Sequence, residues 1–213
     1  YNGVQSDQLP TLEAFYQTQV AELRSKLDDK YADKVPSSVF VVDVSGSMEG
    51  IPVIVAISLG IWGSAIANPV WRDMFFTFES SPSIVSLKDC SSLNERVLKT
   101  RNASWGGSTN LQATLDLILS TSQSHRLTQD QMPSRLVIVS DMQFNQAVGG
   151  GCEIYTNLEV MRAKFRKAGY DMPVIVFWNV RGNIQNGSPA TSNDKGVIML
   201  SGFSKSQLTL IME

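Results

Sequence analysis

One carboxylate and two hydroxyls follow a hydrophobic segment early in the chain. Residues 41–50 read VVDVSGSMEG, so Asp43, Ser45 and Ser47 stand at alternate positions where an apolar strand meets a turn. A second aspartate, Asp141, ends another hydrophobic segment, and Thr109 follows a glycine-rich turn. Ligands of open α/β sheets bind beyond the carboxyl ends of the strands, and we therefore expect these five side chains to meet at one edge.

The chemistry of this set is that of a hard metal ion. All five side chains offer oxygen, and none offers nitrogen or sulfur. Oxygen ligands suit Mg²⁺, with Mn²⁺ or Ca²⁺ as substitutes. His125 is the only histidine of the chain, which argues against zinc sites and histidine-dependent catalytic triads.

Plainer roles are open to the same residues. Asp43 and Ser45 could cap the helix that follows them, which is a common role of such side chains. Gly106 and Gly107 could form a turn before a helix whose cap is Ser108 or Thr109. We expect a partner-binding rim on the same edge, although its polar members could equally lie in a solvated loop. The rim consists of Trp105, Gln143, Asn179 and Arg181.

Alternating helical and apolar patterns predict the elements that position these side chains. Three- and four-residue apolar spacing indicates helices at 10–33, 51–67, 92–101, 110–124, 157–168 and 205–212. Apolar runs predict strands at 39–44, 74–78, 83–87, 136–139, 174–178 and 197–200. This alternation favours a Rossmann-like, three-layer α/β sandwich, with a mainly parallel sheet and one antiparallel hairpin strand at its edge. We expect a connecting amphipathic helix in residues 1–35 and the α/β domain in residues 36–213.

Composition narrows the class of protein further. The chain has 213 residues, a net charge of -2 and 43% hydrophobic residues, which suffices for one filled domain and argues against a dedicated nucleic-acid surface. Two cysteines without CxxC spacing favour a reducing, intracellular environment such as the cytoplasm. The uncharged segment 51–67 reaches the lower limit of a membrane span, but its proline and glycines favour a buried helix instead.

The motif set resembles the metal-ion-dependent adhesion site of von Willebrand factor A domains. The DxSxS pattern of that family matches Asp43, Ser45 and Ser47, its threonine matches Thr109, and its distal aspartate matches Asp141. The resemblance spans roughly residues 36–213. It implies that the serines bind the metal directly, and that the aspartates act mainly through water.

Further segments resemble an uncharacterised family from plants, fungi and large viruses that is related to Ro/TROVE ribonucleoproteins. The segments are DVSGSMEG, WGGSTN, SDMQF, KFRKAGY, VFWNV and GFSK. This resemblance implies that the chain is the C-terminal, metal-binding part of a larger protein. It also implies that RNA could bind through a missing upstream region.

Three functions fit these observations, and a binding module fits best. In that interpretation a divalent metal completes its coordination with an Asp or Glu of a protein partner, and no reaction is catalysed. A Mg²⁺-dependent phosphotransferase with Asp43 as nucleophile would need a DxD pattern, whereas this chain has Ser45 at the second position. RNA binding would rest on basic residues of one helix, which a solvated face also explains. These residues are Arg162, Lys164, Arg166 and Lys167.

Overall fold

A computed structural model of the chain describes residues 7–31, 37–103, 109–141, 152–181, 196–202 and 207. Its helices in these ranges are α1 (Leu9–Tyr31), α2 (Ile51–Ile66), α3 (Leu93–Arg101), α4 (Leu111–Ser124) and α5 (Cys152–Lys167). The strands are β1 (Ser38–Val42), β2 (Met74–Thr77), β3 (Ile84–Ser86), β4 (Arg135–Ser140), β5 (Val174–Asn179) and β6 (Val197–Ser201).

The strands form a single sheet in the order β3-β2-β1-β4-β5-β6. All neighbouring pairs are parallel except β2 and β3, which form the antiparallel hairpin at one edge. From β1 the chain proceeds first to β2 on one side and later to β4 on the other. The strand order therefore reverses between β1 and β4, and a cleft at such a point is where α/β sheets bind ligands. The predicted fold class is confirmed.

Helices cover both faces of the sheet. On one face, apolar side chains of α1, α2 and α3 pack with Phe40 and Val42 of β1. On the other face, α4 and α5 pack with Val39 and Val41. Residues of β1 alternate between the two cores and are all buried, as expected for a central parallel strand. The sheet is thus held rigidly beneath the edge that carries the polar residues.

Helix α2 lies unusually close to β1, because it presents glycine to the sheet. A Cβ atom added at Gly63 would lie 2.1 Å from the ring of Phe40, and one at Gly60 would lie 2.5 Å from Val42. The helix begins after Gly50, which has a φ of 93° that favours glycine. This glycine allows the chain to turn from the segment after β1 directly into α2.

Helix α1 packs on the same face as α2 and α3 and contacts both. The guanidinium of Arg24 donates hydrogen bonds to the Ala65 carbonyl near the end of α2. The carboxylate of Glu13 accepts a hydrogen bond from the backbone N–H of Leu93 at the start of α3. The division of the chain into residues 1–35 and 36–213 stays a prediction.

Several element boundaries differ from the predicted ones. Helix α5 begins at Cys152, five residues before the predicted start. The cap of α4 is Asn110, whose side chain accepts a hydrogen bond from the Ala113 N–H at 2.9 Å. At α3 the cap is Ser92, whose hydroxyl accepts a hydrogen bond from the Glu95 N–H at 3.2 Å, and the Glu95 carboxylate accepts one from the Ser91 N–H at 2.7 Å.

Two further predictions concern the end of the chain and the membrane. The predicted helix 205–212 lies outside the described residues, apart from position 207. Among the described helices, none combines the length and the apolar character that a bilayer crossing requires.

Candidate metal centre

A row of polar residues crosses the central strands where they end. Val42 of β1 pairs with Val139 of β4, so Asp43 and Ser140 are neighbours one position further on. Ser140 in turn pairs with Asn179 of β5. These three polar residues follow the apolar residues of the strands at the carboxyl ends of β1, β4 and β5, and each is at most 2% exposed. The row flanks the point where the strand order reverses.

The carboxylate of Asp43 is held at both of its oxygens. Its Oδ1 accepts a hydrogen bond from the backbone N–H of Ser45 at 2.8 Å. Its Oδ2 accepts a hydrogen bond from the Ser140 hydroxyl at 2.6 Å. The backbone N–H of Asp43 continues the ladder by donating to the Val139 carbonyl at 3.0 Å. Asp43 is therefore fixed by the strand, by the turn after it and by the neighbouring strand.

The two serines connect this turn to the second aspartate. The hydroxyls of Ser45 and Ser47 lie 3.2 Å apart. The Ser47 hydroxyl donates a hydrogen bond to Oδ1 of Asp141 at 3.2 Å. A short 3-10 helix, Gly46–Met48, curves the backbone so that both serines face the same group. The structure thus brings together Asp43, Ser45, Ser47 and Asp141, four of the five predicted ligands.

Burial makes it costly for the two carboxylates at this edge to be ionised. Asp43 is 0% exposed and Asp141 is 3% exposed, while Ser45 and Ser47 are half-buried. Desolvation raises the pKa of Asp43, and the nearby Asp141 charge raises it further, against the lowering effect of the Ser140 and Ser45 hydrogen bonds. A cation bound here would offset both effects, because it stabilises the ionised carboxylates.

The fifth predicted ligand, Thr109, lies on the same edge but outside the hydrogen-bonded group. It is half-buried and immediately precedes Asn110, the cap of α4. The C-terminal end of α4 leads to the start of β4, so the N-terminal end of α4 points toward the opposite, carboxyl edge. The rim positions Trp105 and Gln143 lie outside the described residues.

Of the remaining rim positions, Arg181 lies beside Asp141 and Asn179 pairs with Ser140. Asn179 is 2% exposed, and its side-chain oxygen accepts a hydrogen bond from the Arg181 N–H at 2.9 Å. The Arg181 side chain is 39% exposed, with Nε 3.7 Å from Oδ2 of Asp141. The same guanidinium donates a hydrogen bond to the Ser47 carbonyl. Arg181 therefore contacts the group directly, whereas Asn179 is buried beneath the loop.

Sequence reasoning missed the role of Ser140. It is the last residue of β4 and directly precedes Asp141. The signal that could have found it is the pairing register: a serine one position past the β1–β4 ladder must stand beside Asp43. Its hydroxyl is the group that holds the inner oxygen of Asp43.

The donors at this edge fit a hard divalent cation. The two buried carboxylates and the two half-buried hydroxyls all offer oxygen, and contacts of 3.2 Å join Ser45 to Ser47 and Ser47 to Asp141. Within the described ranges, no group of three or more His, Cys, Asp or Glu side chains is positioned to hold a metal. Hydroxyls and water would therefore have to complete the coordination, which suits Mg²⁺ better than softer ions.

Comparisons with known proteins identify the relatives of the chain. The sequence model of one family, described as "Domain of unknown function (DUF7788)", matches residues 37–213. "Uncharacterized protein L728" of Acanthamoeba polyphaga mimivirus is 42% identical over 172 residues, which are 81% of this chain and 30% of that protein. The chain thus spans less than a third of this viral relative.

Solved structures share the fold at low sequence identity. The Deinococcus radiodurans Ro (RSR) protein aligns with a TM-score of 0.57 at 14% identity, over 84% of this chain and 34% of that one. The VWA domain of SpRpn10 aligns at 12% identity with a TM-score of 0.45, over 84% of this chain and 93% of that one. The chain has the mainly parallel α/β fold that its motifs predicted, and it shares this fold with the Ro protein.

Proposed function

The chain belongs to the DUF7788 family of domains of unknown function, and we propose that it is a metal-dependent protein-binding module. In this proposal Asp43, Ser45, Ser47, Thr109 and Asp141 hold one divalent cation, with Mg²⁺ as the natural ion. An Asp or Glu of a protein partner completes the coordination of that ion. The proposal includes no catalysis, and the intracellular location stays a prediction.

One observation carries the proposal. Residues 94 positions apart meet at the sheet edge, where the Ser47 hydroxyl donates to Asp141. The Ser45–Ser47 contact extends this group, and the backbone N–H of Ser45 connects it to Asp43, whose other oxygen accepts from Ser140. Helix capping alone does not account for it, because the turn after β1 makes no side-chain cap to α2.

Each residue has a distinct role in this arrangement. The half-buried Ser45 and Ser47 offer neutral oxygens that solvent can reach, while the buried aspartates supply negative charge behind them. A bound Mg²⁺ would supply an electrophilic centre that accepts a carboxylate oxygen. The aspartates offset the charge of the ion, but the hydroxyls that contact it are neutral, so it stays electrophilic enough to favour an acidic partner group over a neutral one.

The geometry of Asp43 favours a structural role over a nucleophilic one. An attacking carboxylate needs an oxygen that can reach a phosphorus atom. Asp43 is 0% exposed, and Ser45 and Ser140 engage both of its oxygens. We therefore prefer the binding module to a phosphotransferase.

Ion pairs on α5 weaken the case for RNA binding by this part of the chain. Of the four basic residues considered, Arg162 pairs with Glu159 at 2.6 Å and Lys164 pairs with Asp116. Paired cations offer less charge to phosphates than free ones, and affinity for nucleic acid depends on that charge. RNA binding would then depend on other regions of a longer protein.

The experiment is capture of the partner from native extract by the immobilised chain, with Mg²⁺ or with EDTA. We expect a protein that is retained with Mg²⁺, released by EDTA and not retained by Ser47→Ala. Ser58→Ala is the matched control, since its exposed hydroxyl only donates to the Ile54 carbonyl on α2.

The captured protein then allows a direct test of the carboxylate. Replacing its key Asp or Glu by the amide should abolish retention, although the shape of the side chain is nearly kept. A partner retained equally in EDTA and by Ser47→Ala would show that recognition uses another face of the domain.

A further inference from the structure

A cation of the protein itself already contacts the candidate metal centre. Nε of Arg181 lies 3.7 Å from Oδ2 of Asp141, a carboxylate whose side chain is fully buried. A second nitrogen of the same guanidinium donates to the carbonyl of Ser47, within the DxSxS turn. Arg181 thus connects the segments that follow β1, β4 and β5.

The position of Arg181 is built into the fold. The backbone N–H of Arg181 donates a hydrogen bond to Oδ1 of the buried Asn179. This hydrogen bond directs the chain across the carboxyl ends of the strands immediately after β5. The Val180 N–H donates to the Ser140 carbonyl at 3.1 Å and holds the same segment against β4. The guanidinium is therefore anchored from its own backbone, although its side chain is 39% exposed.

Charge gives this contact a consequence for metal binding. Asp43 and Asp141 repel each other in a buried setting, and the guanidinium neutralises one of their two charges. A divalent cation would neutralise the same charges, but it would also be repelled by Arg181.

We propose that Arg181 is an internal counter-ion that competes with the divalent metal for Asp141 and weakens metal binding. This inference rests on the proposed metal site. The Arg181 charge also has a second role. With the metal bound, it makes the metal site more positive and favours an anionic group of the partner. Arg181 therefore lowers affinity for the ion alone and raises affinity for a carboxylate in the presence of the ion.

The opposite signs of these two effects make the test specific. The first measurement is binding of Mn²⁺ alone, by electron paramagnetic resonance of the free ion, to wild type and Arg181→Gln. We expect the variant to bind Mn²⁺ about fivefold more tightly or better, at the lower end of typical coupling between linked sites. The second measurement adds acetate, which should strengthen Mn²⁺ binding more in wild type than in the variant.

Two further variants separate charge from contact. Arg181→Lys keeps the charge and should bind Mn²⁺ less tightly than Arg181→Gln. Arg162→Gln is the matched control, because Arg162 is also paired with a carboxylate, that of Glu159. It lies far from the candidate metal centre: its guanidinium is near Gly196, which precedes β6 at the opposite end of the sheet. This variant should leave Mn²⁺ affinity unchanged. Circular dichroism of each variant checks that the domain is folded.

The outcomes distinguish this inference from the proposed function. Equal or weaker Mn²⁺ binding by folded Arg181→Gln would overturn the competition while leaving the metal site in place. Tighter Mn²⁺ binding without any change in the acetate effect would overturn the second role of Arg181. No Mn²⁺ binding by wild type or by any variant would overturn both the inference and the proposed function.

Discussion

Replacing Ser140 by alanine should destabilise the metal-free domain more than removal of an ordinary buried hydroxyl does. The Ser140 hydroxyl donates to Oδ2 of Asp43 at 2.6 Å, and both residues are 0% exposed. The acceptor is a carboxylate oxygen, and hydrogen bonds to charged groups contribute about 1.5–3 kcal/mol. We therefore expect Ser140→Ala to lower the free energy of unfolding by about 1.5–3 kcal/mol in EDTA, measured by urea denaturation.

Ser122 provides the matched control for this measurement. Its side chain is also 0% exposed, but its hydroxyl donates at 2.8 Å to the Ile118 carbonyl within α4, a neutral acceptor. Ser122→Ala should cost about 1 kcal/mol or less. Equal losses for Ser140→Ala and Ser122→Ala would refute the reasoning, because they would mean that the Asp43 carboxylate does not depend on Ser140.

Two further predictions concern packing and pH. Gly63→Ala should lower the free energy of unfolding by about 1–3 kcal/mol or more in urea denaturation, because its Cβ would lie 2.1 Å from the Phe40 ring. Gly46→Ala is the control, because a Cβ added at Gly46 would have no atom within 4 Å and should cause no such loss of stability. Burial and Asp141 raise the pKa of Asp43, so the folded state binds more protons than the unfolded state between the ordinary and the raised pKa. Without metal, stability should therefore fall as pH rises through this window, and Asp43→Asn should flatten the fall.

Local pattern sufficed to predict most of the fold. The buried run of β1 and the hairpin of β2 and β3 follow from apolar runs and turn residues, and both appear in the sheet. Helix α5 begins earlier than predicted, and its first residues do carry the helical signal, since Ile154 continues the apolar spacing of Leu158 and Met161. The predicted cap of α4, Ser108 or Thr109, was wrong: Asn110 is the cap, because its side-chain oxygen reaches the Ala113 N–H, and an asparagine is as good a cap as serine or threonine.

The sequence predicted the residues of the candidate site that follow a recognisable motif or strand. It did not predict the contacts that depend on how the strands are aligned with each other. The pattern after β1 and the aspartate after β4 identified Asp43 and Asp141, which directly follow two neighbouring strands in the structure. The pairing of Ser140 with Asp43 needs the exact alignment of two strands that are far apart in sequence. The reach of Arg181 across the edge depends on side-chain conformation, which no spacing rule specifies.

Titration calorimetry with Mg²⁺ tests the central claim most directly. Asp43→Asn replaces one carboxylate oxygen by an amide NH2 group at a fully buried position. The variant therefore keeps the shape of the side chain and loses its negative charge. The account predicts that wild type binds one Mg²⁺ per chain and that Asp43→Asn binds none at the same concentrations. Equal Mg²⁺ binding by both proteins, or no binding by folded wild type, would contradict it.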